Sequence, residues 1–333
     1  MKYRRLPGTE IDVSTIGFGC WAIVGDSTWG AQDEQEAIDG LKAAVDAGIT
    51  FFDTAEAYGQ GYSEQLVGKA LNDRRDKLVI ASKVSPSHFR PDELRAACDR
   101  SLANLGMDVI DLYQLHWPNR DIPVAETFGV CEELKQAGKI RAYGVSNYGP
   151  WDLSACEEAS CPVSTNQVAY NLLFRAVEYE IQPVMARMGV GMLCYSPLMQ
   201  GLLSGKFEHA DAVPAGRARS RHFSSAREGT RHGEPGAEVE TFDAIRAVRR
   251  IADTAGISMA NLSLAWLLTR ETVTSVICGA RNPGQAKRNT EAAGISLSPD
   301  ILRQLDEVTA HLKDVLGPNA DMWMGSGNGA RIR

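Results

Sequence analysis

Asp53, Tyr58, Lys83 and His116 each end or follow an apolar run, and their types suit a proton-donating device. A phenol, with an unperturbed pKa near ~10, is a poor acid at neutral pH unless something stabilises its phenolate. A buried ammonium such as Lys83 does that, and a carboxylate such as Asp53 keeps the ammonium charged and aimed. An imidazole such as His116 can orient or polarise a carbonyl oxygen beside the phenol. Taken singly, each has an ordinary reading: Asp53 a loop cap, Tyr58 a packing residue, Lys83 a snorkelling strand end, His116 a satisfied core histidine. Lys83 also admits a second use, as the Schiff-base nucleophile of an isomerase or lyase. Against that, a neighbouring carboxylate keeps a lysine protonated.

The elements that must position these groups show in the alternation of the chain. Short β-rich runs predict strands near 16–20, 49–53, 78–83, 109–115, 140–145, 163–168, 190–195 and 273–278. Between them, helical patterns fall near 33–47, 63–71, 91–104, 124–137, 150–159, 178–187, 238–255 and 284–292. Eight alternations imply an α/β fold closed as a (β/α)8 TIM barrel, in which polar groups at the carboxyl ends of strands do the chemistry. Asp33 and Pro91-Asp92-Glu93 are helix starts, and Gly48, Gly106 and Gly138 are helix stops. Residues 3–13, with Pro7-Gly8-Thr9-Glu10 between extended patterns, predict a hairpin that plugs the amino-terminal mouth. Helices near 259–268 and 299–312 are extra to the repeat.

With 333 residues and 44% apolar content the chain can bury one large core, so residues 1–333 are expected to form a single domain. No apolar stretch is long enough to cross a bilayer, and Met1-Lys2-Tyr3-Arg4-Arg5 is not followed by the apolar segment of a signal peptide, which predicts a cytoplasmic protein without a membrane partner. Seven cysteines without a CxxC pair argue against a disulfide framework and a zinc site; Cys20, Cys194 and Cys278 read as small buried hydrophobes. A net charge of −7 gives no sign of a nucleic-acid partner. Oligomeric state is not readable.

Gly17-Phe18-Gly19 lacks the further glycine and helix start of a Rossmann fingerprint. Barrels, however, often hold phosphate near the loops after strands seven and eight, beside helix amino termini. Ile277-Cys278-Gly279-Ala280-Arg281-Asn282-Pro283-Gly284-Gln285 suits this, with small residues for close approach, Arg281 for charge and Asn282-Pro283 to start a helix. A basic helix start on the barrel rim is the plainer alternative.

Three ordered motifs carry a family resemblance. Phe52-Asp53-Thr54-Ala55-Glu56-Ala57-Tyr58-Gly59, continuing through Ser63-Glu64 and Gly68 to Leu71, is the first. Lys139-Ile140-Arg141-Ala142-Tyr143-Gly144-Val145-Ser146-Asn147-Tyr148 is the second, and Tyr195-Ser196-Pro197-Leu198 with Gly201-Leu202-Leu203-Ser204-Gly205-Lys206 the third. From about Tyr3 to about Leu312 the chain resembles the aldo-keto reductases, with the look of the bacterial general-stress and sugar-related NADPH-dependent members. The resemblance implies an alcohol:NADP oxidoreductase (EC 1.1.1 class) that reduces aldehydes or ketones with NADPH, NADH being a possible substitute, without a metal. It implies catalysis by Asp53, Tyr58, Lys83 and His116, with Tyr58 as proton donor. Gly19, Cys20 and Trp21 then line the cofactor mouth together with Asp53; Ser146, Asn147 and Gln167 hold the nicotinamide carboxamide, and Tyr195 stacks on the ring. Ser196, Pro197, Leu198, Gly201 and Lys206 surround the pyrophosphate, and Gly279, Ala280, Arg281, Gln285 and Asn289 take the adenosine end, Arg281 facing the 2′-phosphate. Many relatives carry Lys-Ser where this chain has Gly279-Ala280, and Arg where it has Gln285; the resemblance thus implies cofactor binding with a smaller set of cations at the adenosine end.

Trp21, Trp29, Tyr58, His116 and Trp117 are the expected walls of the pocket for a small carbonyl substrate, with Trp323 in reach of it. Trp151 and Trp266 lie in helical patterns and read as packing residues. Segment 207–236, which holds Arg217, Arg219, Arg221, Arg227 and Arg231 among Gly, Ser and Pro, has the composition of a mobile surface loop. In the family such a loop can cover the cofactor, which makes it a candidate clamp; a solvated basic loop is the alternative. The family also includes β-subunits of voltage-gated potassium channels, which keep a cofactor but serve as partner proteins.

Overall fold

The computed structural model describes residues 1–325, 331 and 332. The chain opens with an antiparallel hairpin, β1 (Tyr3–Arg5) and β2 (Asp12–Ser14). It then runs through β3 (Ile16–Gly19), α1 (Glu34–Asp46), β4 (Phe51–Asp53), α2 (Tyr62–Leu71), β5 (Val79–Val84) and α3 (Pro91–Leu105). Next come β6 (Ile110–Leu115), α4 (Val124–Gln136), β7 (Ile140–Ser146), α5 (Pro150–Glu158), β8 (Thr165–Ala169), α6 (Ile181–Met188) and β9 (Gly191–Tyr195). The last part holds α7 (Glu238–Ala255), α8 (Met259–Leu268), β10 (Val273–Gly279), α9 (Pro283–Glu291), α10 (Pro299–Val308) and α11 (Ala310–Leu316). Strands β3 to β10 form a closed parallel barrel, β10 pairing with both β9 and β3.

Strand periodicity explains how one barrel carries both a core and a site. Alternate residues of a strand face inward. The lower inward layer is apolar: Phe51, Val79, Ala81, Leu112, Ala142, Leu193 and Ile277 form one buried cluster with Leu6, Ile11 and Val13 of the hairpin. The hairpin therefore plugs the amino-terminal mouth. Two residues further along the same strands, Asp53, Lys83 and Gln114 continue the inward face at the carboxyl ends. Outward residues such as Phe18, Phe52, Ile80, Tyr113 and Val145 pack against the helices.

Helix limits follow the caps. Asp33 accepts the Glu36 amide at 2.8 Å to start α1, and Gly106, at φ 60°, ends α3 in the left-handed region. One predicted helix near 299–312 is two, α10 and α11. Thr309 separates them, because its hydroxyl bonds the Leu305 carbonyl at 2.8 Å and accepts from Arg175 at 3.0 Å.

Segment 207–236 departs from a surface loop. Phe207, Val213, Ala218, Ser220, Arg221, His222, Phe223 and His232 are buried. Arg221 pairs with Glu234 at 2.7 Å and donates to the Leu316 and Asn319 carbonyls at 2.6 and 2.9 Å. Charge thus satisfies backbone carbonyls at the end of α11 and just beyond it, which composition does not reveal. Trp266 is fully buried as expected, whereas Trp151 is 57% exposed and lies under Arg120. The seven cysteines are unpaired and six are buried, Cys20, Cys194 and Cys278 among them. Among the described residues no single helix is long and apolar enough to cross a membrane; α7 and α8 combine the length and the apolar composition only as a pair bent by 93°.

Candidate active site

Lys83, at the inward end of β5, is fully buried and touches every other member of its group but the imidazole. Its Nζ donates to Asp53 Oδ1 at 2.5 Å, to the Thr54 carbonyl at 2.9 Å and to Tyr58 Oη at 3.2 Å. The other Asp53 oxygen accepts from Gln114 Nε2 at 3.0 Å and Gln167 Nε2 at 2.8 Å. Gln114 was not among the expected site residues, although its place two residues before His116 on β6 puts it on the inward face. Tyr58 and His116 meet edge to face, with ring centroids 5.8 Å apart. Trp21 lies flat beside Tyr58 at 6.1 Å, and Trp29 meets Trp21 edge-on at 5.5 Å.

Charges in this cluster are set by burial against contact. Burial pushes the Lys83 ammonium down, but Asp53 and Tyr58 outweigh it and hold it above its ordinary value. A lysine so held is charged, which argues against the Schiff-base reading. Burial also raises the Tyr58 phenol, and the pull of Lys83 only partly offsets it. Lys83 thus lowers the phenol as expected, but burial outweighs it and leaves the phenol above its ordinary value and protonated. Since Lys83 donates to the phenolic oxygen, the phenol's own proton is available to another acceptor. Burial, and secondly the charge of Lys83, push His116 down to about 3, so that its ring is neutral at physiological pH.

A second group rims the same end. Ser146, Asn147 and Gln167 are buried; Asn147 adopts φ 63°, donates to the His116 carbonyl at 3.1 Å and accepts from Tyr195 Oη at 2.9 Å. Gly19 stands in register with Asp53 and Gly279, and the Cys20 amide donates to the Asp53 carbonyl. After β9 the backbone is strained: Ser196, Met199 and Gln200 all have positive φ, a conformation that costs of order 1–3 kcal/mol per residue and clusters at ligand sites. Pro197 and Leu198 lie within this bend and Gly201 closes it. Gln200 is 5% exposed, yet neither of its amide atoms has a partner among the described residues.

Beyond it lie cations without carboxylates. Lys206 and Arg217 form no ion pair among the described residues, and each sits about one ring away from Phe207, at 5.0 and 5.3 Å. Burial lowers Lys206, and the charges of Arg217 and Arg281 lower it further. Arg217 is depressed by burial and then by Arg281. Arg281 donates to the Trp29 carbonyl and Gln32 Oε1, each at 2.7 Å, and to the Ala31 carbonyl. Its amide is held by Gln285 Oε1 at 2.9 Å, Asn289 Nδ2 donates to the Gly279 carbonyl at 3.3 Å, and Ala280 is buried between. Orphaned polar atoms at Trp29 Nε1, Gln200, Arg217 Nε and Arg219 Nε, together with mutually repelling cations, fit an anionic ligand carrying hydrogen-bonding groups. Arg217 and Arg219 were expected only as part of the candidate clamp 207–236; Gln200 was not among the expected contacts and has no sequence signal beyond its place beside Gly201.

Trp117 lies next to His116, and the carboxy-terminal tail reaches it through Arg331, whose guanidinium is 4.0 Å from its ring centroid. Trp323, the tail residue expected to approach the pocket, packs against the apolar core.

The sequence model described as the Aldo/keto reductase family matches residues 15–310. The chain belongs to the aldo-keto reductase family. It is 33% identical to the aldo-keto reductase YhdN of Bacillus subtilis (strain 168), covering 96% of this chain and 97% of the relative. It is 32% identical to the NADH-specific methylglyoxal reductase of Escherichia coli (strain K12), covering 92% and 99%. Among solved structures, an aldo/keto reductase from Klebsiella pneumoniae in complex with NADP and acetate superposes with a TM-score of 0.74 at 31% identity, covering 93% of this chain and 96% of the other. As an aldo-keto reductase the chain is an oxidoreductase built on a (β/α)8 barrel.

Proposed function

We propose that this aldo-keto reductase reduces small aldehydes or ketones to alcohols with a nicotinamide dinucleotide, Tyr58 donating the proton. The observation that carries the reading is Lys83 Nζ, fully buried between Asp53 Oδ1 and Tyr58 Oη. In the ground state the phenol is protonated and its hydrogen is available to a carbonyl oxygen. As negative charge grows on that oxygen, the phenol proton transfers and the ammonium stabilises the phenolate left behind. Asp53, fixed by Gln114 and Gln167, prevents Lys83 from losing its charge. His116, neutral, offers a ring N–H to the same oxygen and orients the carbonyl. Trp21, Trp29 and Trp117 supply the apolar wall that keeps water from competing.

The cofactor, when bound, supplies hydride from its nicotinamide. Ser146, Asn147, Gln167 and Tyr195 are the residues proposed to hold that ring. The strained bend 196–201 with Gln200, Lys206 and Arg217 is proposed for the pyrophosphate, and 279–289 for the adenosine end, where Arg281 offers a forked donor to a 2′-phosphate. NADPH is the proposed cofactor; the NADH-specific relative makes NADH the necessary comparison. Methylglyoxal, the substrate in that relative's name, is the first aldehyde to try.

The test measures oxidation of NADPH and of NADH by near-ultraviolet absorbance against a panel of aldehydes. Tyr58→Phe is expected to lower turnover at least ~100-fold, the lower range for general acids, while cofactor binding measured by fluorescence quenching is retained. Turnover that survives in Tyr58→Phe overturns the assignment of the proton donor.

A further inference from the structure

We infer that Arg281 sets substrate preference through Trp29, so that a 2′-phosphorylated dinucleotide and its unphosphorylated counterpart give the carbonyl pocket different walls. The inference rests on the proposed adenosine site at residues 279–289, and goes beyond it by linking that site to the substrate.

Three of the five N–H groups of Arg281 are held by neutral acceptors of the β3 to α1 connection. Nη1 donates to the Trp29 carbonyl at 2.7 Å, Nε to Gln32 Oε1 at 2.7 Å and Nη2 to the Ala31 carbonyl. Gln32 returns a bond to the Arg281 carbonyl at 3.0 Å. No carboxylate pairs with this guanidinium among the described residues, and its charge reaches Lys206 and Arg217. A phosphate dianion competes well for such a group, because charge-assisted hydrogen bonds are roughly twice as strong as neutral ones. Two parallel N–H groups are needed for forked capture, and the nitrogens of both edges, Nε with Nη2 and Nη1 with Nη2, already donate to residues 29–32, so a phosphate at either edge competes with those bonds. Capture of phosphate therefore loosens the hold on residues 29–32.

Trp29 transmits that change. Its amide donates to Asp26 Oδ1 at 3.0 Å, while Asp26 Oδ2 accepts from Trp21 Nε1 at 2.8 Å. One carboxylate thus joins the backbone of Trp29 to the indole that lies flat on Tyr58. The Trp29 Nε1 is buried without an acceptor among the described residues, so no side-chain hydrogen bond pins the ring, and its position follows its backbone. Gly25 and Gly30, at φ 68° and 76°, lie on either side of Trp29 in the left-handed region that glycine adopts at no steric cost. A shift at the Trp29 carbonyl is then felt where Trp29 meets Trp21, at the pocket wall.

The experiment uses adenosine 2′,5′-diphosphate and 5′-AMP as probes, with binding followed by calorimetry and by tryptophan emission. The diphosphate is expected to change the emission of the wild-type protein and 5′-AMP to leave it unchanged. In Trp29→Phe the emission change disappears while the binding heat remains; in Arg281→Met, or Arg281→Lys should the first not fold, the emission change disappears as well. In turnover, the ratio of KM for a bulky aryl aldehyde to KM for methylglyoxal is expected to differ between NADPH and NADH by about fivefold, the lower end of ordinary coupling between sites. Binding heat without a Trp29-dependent emission change overturns the coupling and leaves the adenosine site standing. An absence of binding heat overturns the adenosine site, and the coupling falls with it.

Discussion

Lys83 is held charged in a place where a lone ammonium would lose its proton, and that has a separable cost. Breaking a buried pair from one side leaves an uncompensated charge, whereas removing both charges does not. Asp53→Asn is therefore expected to destabilise the fold by ~3–5 kcal/mol in urea unfolding and to suppress turnover. The double variant Asp53→Asn with Lys83→Met is expected to recover most of the stability and none of the activity. If stability and activity recover together, the pair is structural only. The His116 imidazole makes a different prediction. Held down to about 3 by burial and then by the Lys83 charge, it stays neutral as pH falls from 8 to 5, so kcat/KM should show no inflection from it there. A limb near the unperturbed value of ~6.5 that vanishes in His116→Gln would contradict the buried, neutral ring. These four residues were legible because each ends or follows an apolar run at a strand terminus. Gln114 carried the same signal, yet a glutamine has no chemistry of its own to draw attention; its role comes only from the carboxylate it holds.

Among the elements, segment 207–236 behaves least as its composition suggests. Phe207, Val213 and Phe223 are too widely spaced to show a helical or strand period, and besides Glu234 and Ser220 within the segment, Arg221 and His222 bond backbone carbonyls at Leu316, Asn319 and Leu173, far off in sequence. No local pattern can announce such contacts. The amino-terminal half of the segment leans on the β3 to α1 connection: Arg219 donates to Thr28 Oγ1 at 2.7 Å, and a Cβ on Gly216 would lie 2.3 Å from the Ser27 carbonyl oxygen. Backbone cannot yield there as a side chain could, so Gly216→Val must part the two loops. Overpacking of this kind costs ~1–3 kcal/mol. If the segment serves the cofactor, the variant should weaken NADPH binding by about tenfold, which is ~1.4 kcal/mol. Limited proteolysis supplies the companion measurement: cofactor should slow nicking within 207–236 in the wild type and protect less in Gly216→Val. Equal rates with and without cofactor would remove the clamp.

At the scale of the whole molecule, the barrel was readable as eight alternations because parallel strands buried on both faces appear as short continuous apolar runs. Closure was not readable in any one of them: pairing of β10 with β3 joins residues about 260 apart, and only the count of units implies it. What the closed barrel creates is a division along its axis. Leu6, Ile11 and Val13 fill the amino-terminal mouth against Phe51, Val79, Ala81 and Leu112, one inward layer below Asp53, Lys83 and Gln114. Stability and chemistry thus draw on different residues of the same strands, which makes them separable by mutation. Leu6 is fully buried in the plug, in the apolar cluster one inward layer below the charged residues. Leu6→Ala is expected to lower unfolding stability by ~2–5 kcal/mol, the usual range for a leucine-to-alanine change in a core. In conditions where the variant stays folded, kcat/KM should remain within about twofold of wild type, since among the described residues no side-chain hydrogen bond joins Leu6 to the site. A fall in kcat/KM as large as that of Asp53→Asn would show that the hairpin holds the strand ends in register, and that the two layers are mechanically one.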